Sequence, residues 1–215
     1  MRILFIGNSH TYVNALPYQV RELVNGLLRA DSCVAWMVTS GGKSLAWHAE
    51  QPNTVFNIVC NRWDYVVLQQ RTHPFPPYAE LVGAVNKLLP HIRQSGAEPL
   101  YYVTWKKKEA PESDQQEITA AFERLARECG GRVVPVGPAW AVARRSCPDI
   151  ELYAPDGAHA SAAGTYLAAC VFCRALTGQS TTGLPARIVV NGTVLAELSP
   201  DHAAALQRVA DSLDL

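Results

Sequence analysis

Arg2-Ile3-Leu4-Phe5-Ile6-Gly7-Asn8-Ser9-His10-Thr11 opens the chain with a nearly unbroken apolar run that stops on a glycine and a serine. A run without polar alternation is what a strand buried on both faces requires, and such strands belong to parallel sheets covered by helices. The rest of the chain keeps to that plan. Leu16 to Arg29 carries Val20, Leu23, Val24, Leu27 and Leu28 at helical spacing behind Pro17, and Cys33 to Val38 is a second strand ending in Thr39-Ser40-Gly41-Gly42. Tyr65 to Leu68 is a third strand. Tyr78 to Gln94 has the helical spacing of Leu81, Val82, Val85, Leu88, Leu89 and Ile92, and Ser95-Gly96 stops it. Pro99 to Thr104 is a fourth strand, Ser113 caps a helix through Cys129, Arg132 to Val136 is a fifth strand, and Ala160 to Thr177 is a helix ending at Gly178. Such alternation predicts an α/β fold, a three-layer α/β/α sandwich around a parallel five-stranded sheet.

Residues 1–182 account for that domain. The tail, 183–215, differs: Ala186 to Leu198 reads as a hairpin around Asn191-Gly192, and Ser199-Pro200-Asp201 opens a last helix with proline in its first turn. It is expected to be an appendage packed on the same domain.

Of the 215 residues 48% are hydrophobic and 18% charged, with a formal net charge of zero, which suits one core and argues against nucleic acid or an anionic membrane as partner. The basic run Lys106-Lys107-Lys108 is followed by Glu109 and Glu112 and reads as a solvated loop. No apolar stretch reaches the ~20 residues a bilayer needs, and the first apolar run is too short for a secretory signal, so a cytoplasmic location is expected. The cysteines are Cys33, Cys60, Cys129, Cys147, Cys170 and Cys173. Only the last two have metal-like spacing, and without further ligands they read as buried thiols, so no metal or other cofactor is expected.

In a parallel sheet the loops after the strands gather at one rim, where binding residues collect. Here those loops are Gly7-Asn8-Ser9-His10-Thr11, Ser40-Gly41-Gly42-Lys43-Ser44, Gln69-Gln70-Arg71-Thr72-His73 and Trp105, joined by Pro155-Asp156-Gly157-Ala158-His159 before the last long helix. A serine, a histidine, an aspartate and glycine N–H groups are the parts of serine acyl transfer. The hydroxyl needs a base, the base needs a carboxylate to fix its tautomer, and the oxyanion needs donors commonly worth ~3–4 kcal/mol each. Asp156 and His159 stand three apart, so one local conformation brings carboxylate and imidazole together. Gly-x-Ser or Asp-x-x-His alone is common; their combination at strand ends, in this order and with a glycine turn between, is far more specific. The Gly-x-Ser-x-Gly signature of another serine-hydrolase class is absent.

Over most of residues 1–178 the chain resembles the SGNH (GDSL-like) hydrolases, whose fold is flavodoxin-like. Their first block, Gly-Asp-Ser, stands here as Gly7-Asn8-Ser9; the oxyanion glycine after strand two is matched by Gly41 or Gly42; the last block, Asp-x-x-His, is intact as Asp156-Gly157-Ala158-His159. The resemblance implies Ser9 as nucleophile, His159 as base, Asp156 as its orienting carboxylate, and the Ser9 N–H as an oxyanion donor. Two positions depart from the family. Asn8 replaces the usual aspartate, and the third block, Gly-x-Asn-Asp in the family, is replaced by Leu68-Gln69-Gln70-Arg71-Thr72-His73. Gln69 or Gln70, with Gln69 preferred, is expected to take over the missing asparagine's donor role.

Beside these, His10, His73 and Trp105 are candidates for contact with substrate. His48, His91 and His202 read as surface residues, and Arg71 as a salt-bridging residue with an anionic substrate group as its other reading. The expected function is hydrolysis of carboxylic esters with short acyl groups, acetyl on carbohydrate included, and a small-molecule acyl ester is the expected partner. A binding module that keeps the pocket without efficient chemistry, and an acyltransferase, are the alternatives.

Overall fold

The computed structural model describes residues 1–29 and 32–214. Strand β1 (Arg2–Gly7) leads through the short helix α1 (Ser9–Tyr12) and a 3-10 turn into α2 (Leu16–Leu28), then β2 (Val34–Thr39). Helices α3 (Leu45–Ala49) and α4 (Pro52–Val59) precede β3 (Tyr65–Gln69), and α5 (Tyr78–Gln94) precedes β4 (Glu98–Tyr102). Next come α6 (Glu112–Cys129), β5 (Arg132–Val134), α7 (Val136–Ser146) and α8 (Ala162–Thr177). A hairpin of β6 (Arg187–Val190) and β7 (Thr193–Glu197) and a last helix, α9 (Pro200–Asp211), complete the chain.

The sheet has the order β2-β1-β3-β4-β5, and every neighbouring pair is parallel. Alternation along β1 sorts its side chains between two cores. Ile3 and Phe5 join residues of α2, α7 and α8, whereas Leu4 and Ile6 join residues of α5 and α6. The apolar run of β1 is therefore continuous because both of its faces are covered. Helix α8 is apolar nearly all round and is buried along most of its length, with the hairpin and α9 packed outside it. Gln207 of α9 fixes that contact, donating to the Tyr166 hydroxyl at 2.7 Å and to the Leu184 carbonyl at 2.8 Å. Among the described residues no helix is long and apolar enough to cross a membrane.

In this order the chain leaves β1 toward one side, to β2, and returns to the other, to β3. The loops after β1 and β3 diverge at that point and open a crevice at the carboxyl ends of the strands. Gly7, at the turn, is tightly enclosed: its carbonyl accepts the Ser40 N–H at 3.0 Å and the His48 Nε2–H at 2.8 Å. A Cβ on Gly7 would lie 2.4 Å from Gln69 Oε1 and 2.5 Å from Thr11 Oγ1.

Several local expectations are corrected. Helices α3, α4 and α7 fall where none was anticipated: α3 and α4 are short, and α7 begins at Val136, where strand five was expected still to run. Ser113 caps nothing; Pro111 holds the cap position of α6, and Glu112 and Asp114 supply the first-turn carboxylates that suit a helix start. His48, expected at the surface, is 1% exposed, with Thr54 Oγ1 3.3 Å from Nδ1. Lys106 is also buried, with Nζ on the Ala110 carbonyl and 3.3 Å from Glu112, so the basic run is not uniformly solvated.

Two outcomes follow from this packing. Gly7→Ala should destabilise the fold by about 2 kcal/mol, lowering Tm by roughly 4–8 °C in a thermal melt, because the new methyl meets two enclosed oxygens. The second concerns His48, whose burial lowers its pKa below the ordinary 6.5. The unfolded chain takes up a proton below about pH 6.5 while the folded His48 stays neutral. Stability is therefore lost as pH falls below that value, by at most about 1.4 kcal/mol per pH unit for this group. His48→Gln, which keeps a donor for the Gly7 carbonyl, should flatten the decline between pH 7 and pH 5 in urea titrations.

Candidate active site

Ser9 is the first residue of α1, directly past the end of β1. Asn8 sets that helix start: its Oδ1 accepts the His10 N–H at 3.1 Å, and its Nδ2 donates to the Lys43 carbonyl at 3.0 Å, tying down the loop after β2. Asn8 itself is held by its N–H, which donates to Gln69 Oε1 at 2.7 Å, and Thr11 Oγ1 donates to the same oxygen at 3.1 Å. Ser9 N–H takes part in none of the turn or cap hydrogen bonds around it.

The histidine arrives on a loop organised by its own aspartate. Asp156 Oδ1 accepts the N–H groups of Ala158 and His159, each at 2.9 Å, and Oδ2 lies 2.5 Å from His159 Nδ1. Gly157 adopts φ +65, a left-handed conformation that a side chain would strain. His159 Nε2 stands 2.8 Å from Ser9 Oγ. An ionised carboxylate can only accept, so Nδ1 carries the proton, and bare Nε2 faces the serine hydroxyl. The His159 hydrogen bond, followed by the two N–H donors, holds the Asp156 carboxyl well below the usual carboxylate range. Asn14, at φ 53, connects the two arms: its amide donates to the Ala160 carbonyl at 3.1 Å and to Thr165 Oγ1 at 2.9 Å.

Above this relay lies a cleft of about 380 Å³ whose walls include Ser9, His159, Gly42, Arg71, His73 and Lys107. His10 also borders it, stacked on His159 with ring centroids 5.2 Å apart and also 5.2 Å from the Trp105 ring. Burial first, then the neighbouring His73 and His159, pushes the His10 pKa down to about 3. His73 is lowered too, chiefly by burial, and its Nε2–H donates to the Trp105 carbonyl at 3.1 Å. Two imidazoles beside the relay are thus held neutral, and neither adds charge to His159.

Of the two glycines, Gly42 borders the cleft, with φ +68, while Gly41 is exposed and is not part of its wall. Gln69 is fully buried; its Oε1 accepts from Asn8 and Thr11, and one of its two amide N–H groups is already given to the Gln70 carbonyl at 2.5 Å. Gln70 accepts the Leu45 N–H at 3.0 Å and the Arg71 N–H at 2.7 Å through Oε1, and its enclosed Nε2 has no partner. Trp105 is 1% exposed and lies below the cleft rather than in it. It stacks on Trp140 at 3.8 Å and donates to the Ala158 carbonyl at 2.8 Å, so it props the histidine loop. Asn14 and Lys107 were not anticipated. Asn14 lies in an unremarkable polar turn, whereas Lys107, two residues past the strand-end Trp105, was obscured by its basic neighbours.

No protein-family model and no curated protein matches the sequence. Solved structures do. A protein from Slackia heliotrinireducens described as an SGNH hydrolase is 30% identical, with TM-score 0.67, over 82% of this chain and 98% of that one. A DUF4886 family protein from Bacteroides uniformis shares the fold at TM-score 0.76 and 21% identity, over 98% of this chain and 93% of that one. So does an acetyl-xylooligosaccharide esterase from Geobacillus stearmophilus, at TM-score 0.63 and 15% identity, over 82% and 94%. With its blocks in order on this sheet and that identity along nearly the whole length of the Slackia protein, the chain belongs to the SGNH hydrolase superfamily.

Proposed function

We propose that the protein is a serine esterase that cleaves carboxylic esters with short acyl groups, acetyl esters foremost. One observation carries the reading: the unbroken sequence of contacts from Ser9 Oγ to His159 Nε2 at 2.8 Å and from His159 Nδ1 to Asp156 Oδ2 at 2.5 Å. Ser9 Oγ attacks the acyl carbon as its proton passes to His159 Nε2, and Asp156 stabilises the imidazolium. The tetrahedral oxyanion is received by the N–H groups of Ser9 and Gly42 and by the Gln70 amide, whose Nε2 makes no hydrogen bond among the described residues, whereas Gln69 has already given one N–H to the Gln70 carbonyl. His159 then protonates the leaving alcohol oxygen, which breaks the ester C–O bond and leaves the acyl group on Ser9. Water attacks the acyl-serine, giving its proton to Nε2, and collapse frees the carboxylic acid and restores the serine hydroxyl.

A cleft of about 380 Å³ supports small acyl groups, and the acetyl-xylooligosaccharide esterase among the structures of like fold supports acetyl on a sugar as the first substrate to try. The full burial of Gln69, with one of its amide N–H groups held by the Gln70 carbonyl, favours one competing reading, a ligand-binding module in which oxyanion stabilisation is lost.

A fluorophosphonate probe separates the two, since only an activated serine is phosphonylated. Labelling should be confined to Ser9 and vanish in Ser9→Ala, and hydrolysis of p-nitrophenyl acetate by that variant should fall at least about 10³-fold. Equal rates for the two proteins across a chain-length series would falsify the esterase reading. Gln70→Glu keeps the acceptor for Leu45 and Arg71 but removes the donor; kcat should drop by about 10²–10³ with little change in KM. An unchanged kcat removes Gln70 from the oxyanion site.

A further inference from the structure

The basic run at 106–108 is split by the fold. Lys106 is buried against Glu112, and Lys108 pairs with Glu151 at 2.5 Å. Lys107, between them, is exposed, borders the cleft and has no carboxylate within ion-pair distance among the described residues. Arg71 borders the same cleft, also without an ion pair among the described residues, and its enclosed Nε has no hydrogen-bond acceptor. The expected salt bridge of Arg71 is therefore not formed.

The local carboxylates do not neutralise this pair. Both oxygens of Asp156 are already engaged, Oδ1 by two backbone N–H groups and Oδ2 by the His159 ring. Asp114 and Glu117 line a neighbouring cavity of about 400 Å³ that meets the cleft at Thr72, His73 and Lys107. An anion drawn to Arg71 and Lys107 is thus favoured on the Ser9 side and disfavoured beyond His73. Burial keeps His10 and His73 neutral, so the fixed positive charge of the cleft resides in Arg71 and Lys107. A guanidinium without an ion pair is the side chain best shaped to take a carboxylate in a forked contact, and a lysine on the same cleft adds an adaptable point charge.

We propose that Arg71 and Lys107 make this site selective for esters that carry an anionic group close to the scissile bond. The proposal rests on the esterase reading of Ser9 and His159 and adds the substrate class. The anion can belong to the alcohol, as in an acetylated acidic sugar, or to the acyl chain, as in a dicarboxylic half-ester. The chemistry of recognition is the same.

Two substrate pairs distinguish these sources. On the alcohol side 4-acetoxybenzoate is compared with its neutral methyl ester, and on the acyl side p-nitrophenyl hemisuccinate with p-nitrophenyl pentanoate. In one pair the ratio of kcat/KM, anionic over neutral, should fall about tenfold in Arg71→Met and in Lys107→Met, and should also fall in the wild type as salt is raised. Lys107 is exposed, so its variant tests the idea even if Arg71→Met folds poorly. Binding of 4-hydroxybenzoate and succinate to Ser9→Ala, measured by calorimetry, gives a readout free of turnover, and adding Lys107→Met should weaken it. Ratios unmoved by either substitution in both pairs overturn the proposal, as does failure of Ser9→Ala to bind either anion at millimolar concentration. Fluorophosphonate labelling of Ser9 is scored separately. If it fails while the anions bind, the esterase reading falls and the anion site stands; if it succeeds while the anions are ignored, the reverse holds.

Discussion

The side-chain oxygen of Gln69, at the end of β3, accepts the Asn8 N–H and the Thr11 hydroxyl, both from the segment that carries Ser9. Parallel strands in this sheet pair through their backbones only as far as their ends; past that point the loops have no mutual register of their own. One buried carboxamide supplies it. The contact is available only because Gly7 has no Cβ, and it sets the direction in which α1 leaves the sheet. Placement of Ser9 thus comes from the strand beside it as much as from its own.

That arrangement explains what could and could not be read beforehand. The sheet was legible because burying both faces of β1 forces a continuous apolar run, and the long helices because their apolar spacing is regular. The contact of Asp156 with His159 was legible because they are near neighbours in sequence, so it is a local matter. The direction of the Gln69 side chain was not legible, for a different reason. A residue alternating at the end of a strand can point into the cleft or into the loop below it, and only the three-dimensional partners decide. Here the acceptor demand of Asn8 and Thr11 takes the oxygen, and the Gln70 carbonyl takes the nitrogen. Trp105 stands where a strand ends, which suggested a wall, yet Trp140 of α7 covers it, and α7 itself was not foreseen.

The electrostatics of the site are divided between enclosed and accessible groups. The enclosed ones, His10 and His73, are kept neutral chiefly by desolvation, with His73 and His159 adding to the effect on His10, so neither sets a like charge beside the His159 ring. The accessible ones, Arg71 and Lys107, keep their charge at the mouth of the cleft. Desolvation thus confines the permanent positive charge to the accessible side chains of the cleft and withholds it from the surroundings of the His159 ring.

The amide of Asn14 joins the segment after Ser9 to the start of α8, some 150 residues further along the chain. Ser9 and His159 stand on segments 150 residues apart, and their meeting requires α8 to have docked on the sheet. On the proposed esterase reading, recovery of turnover during refolding reports the closing of that long loop.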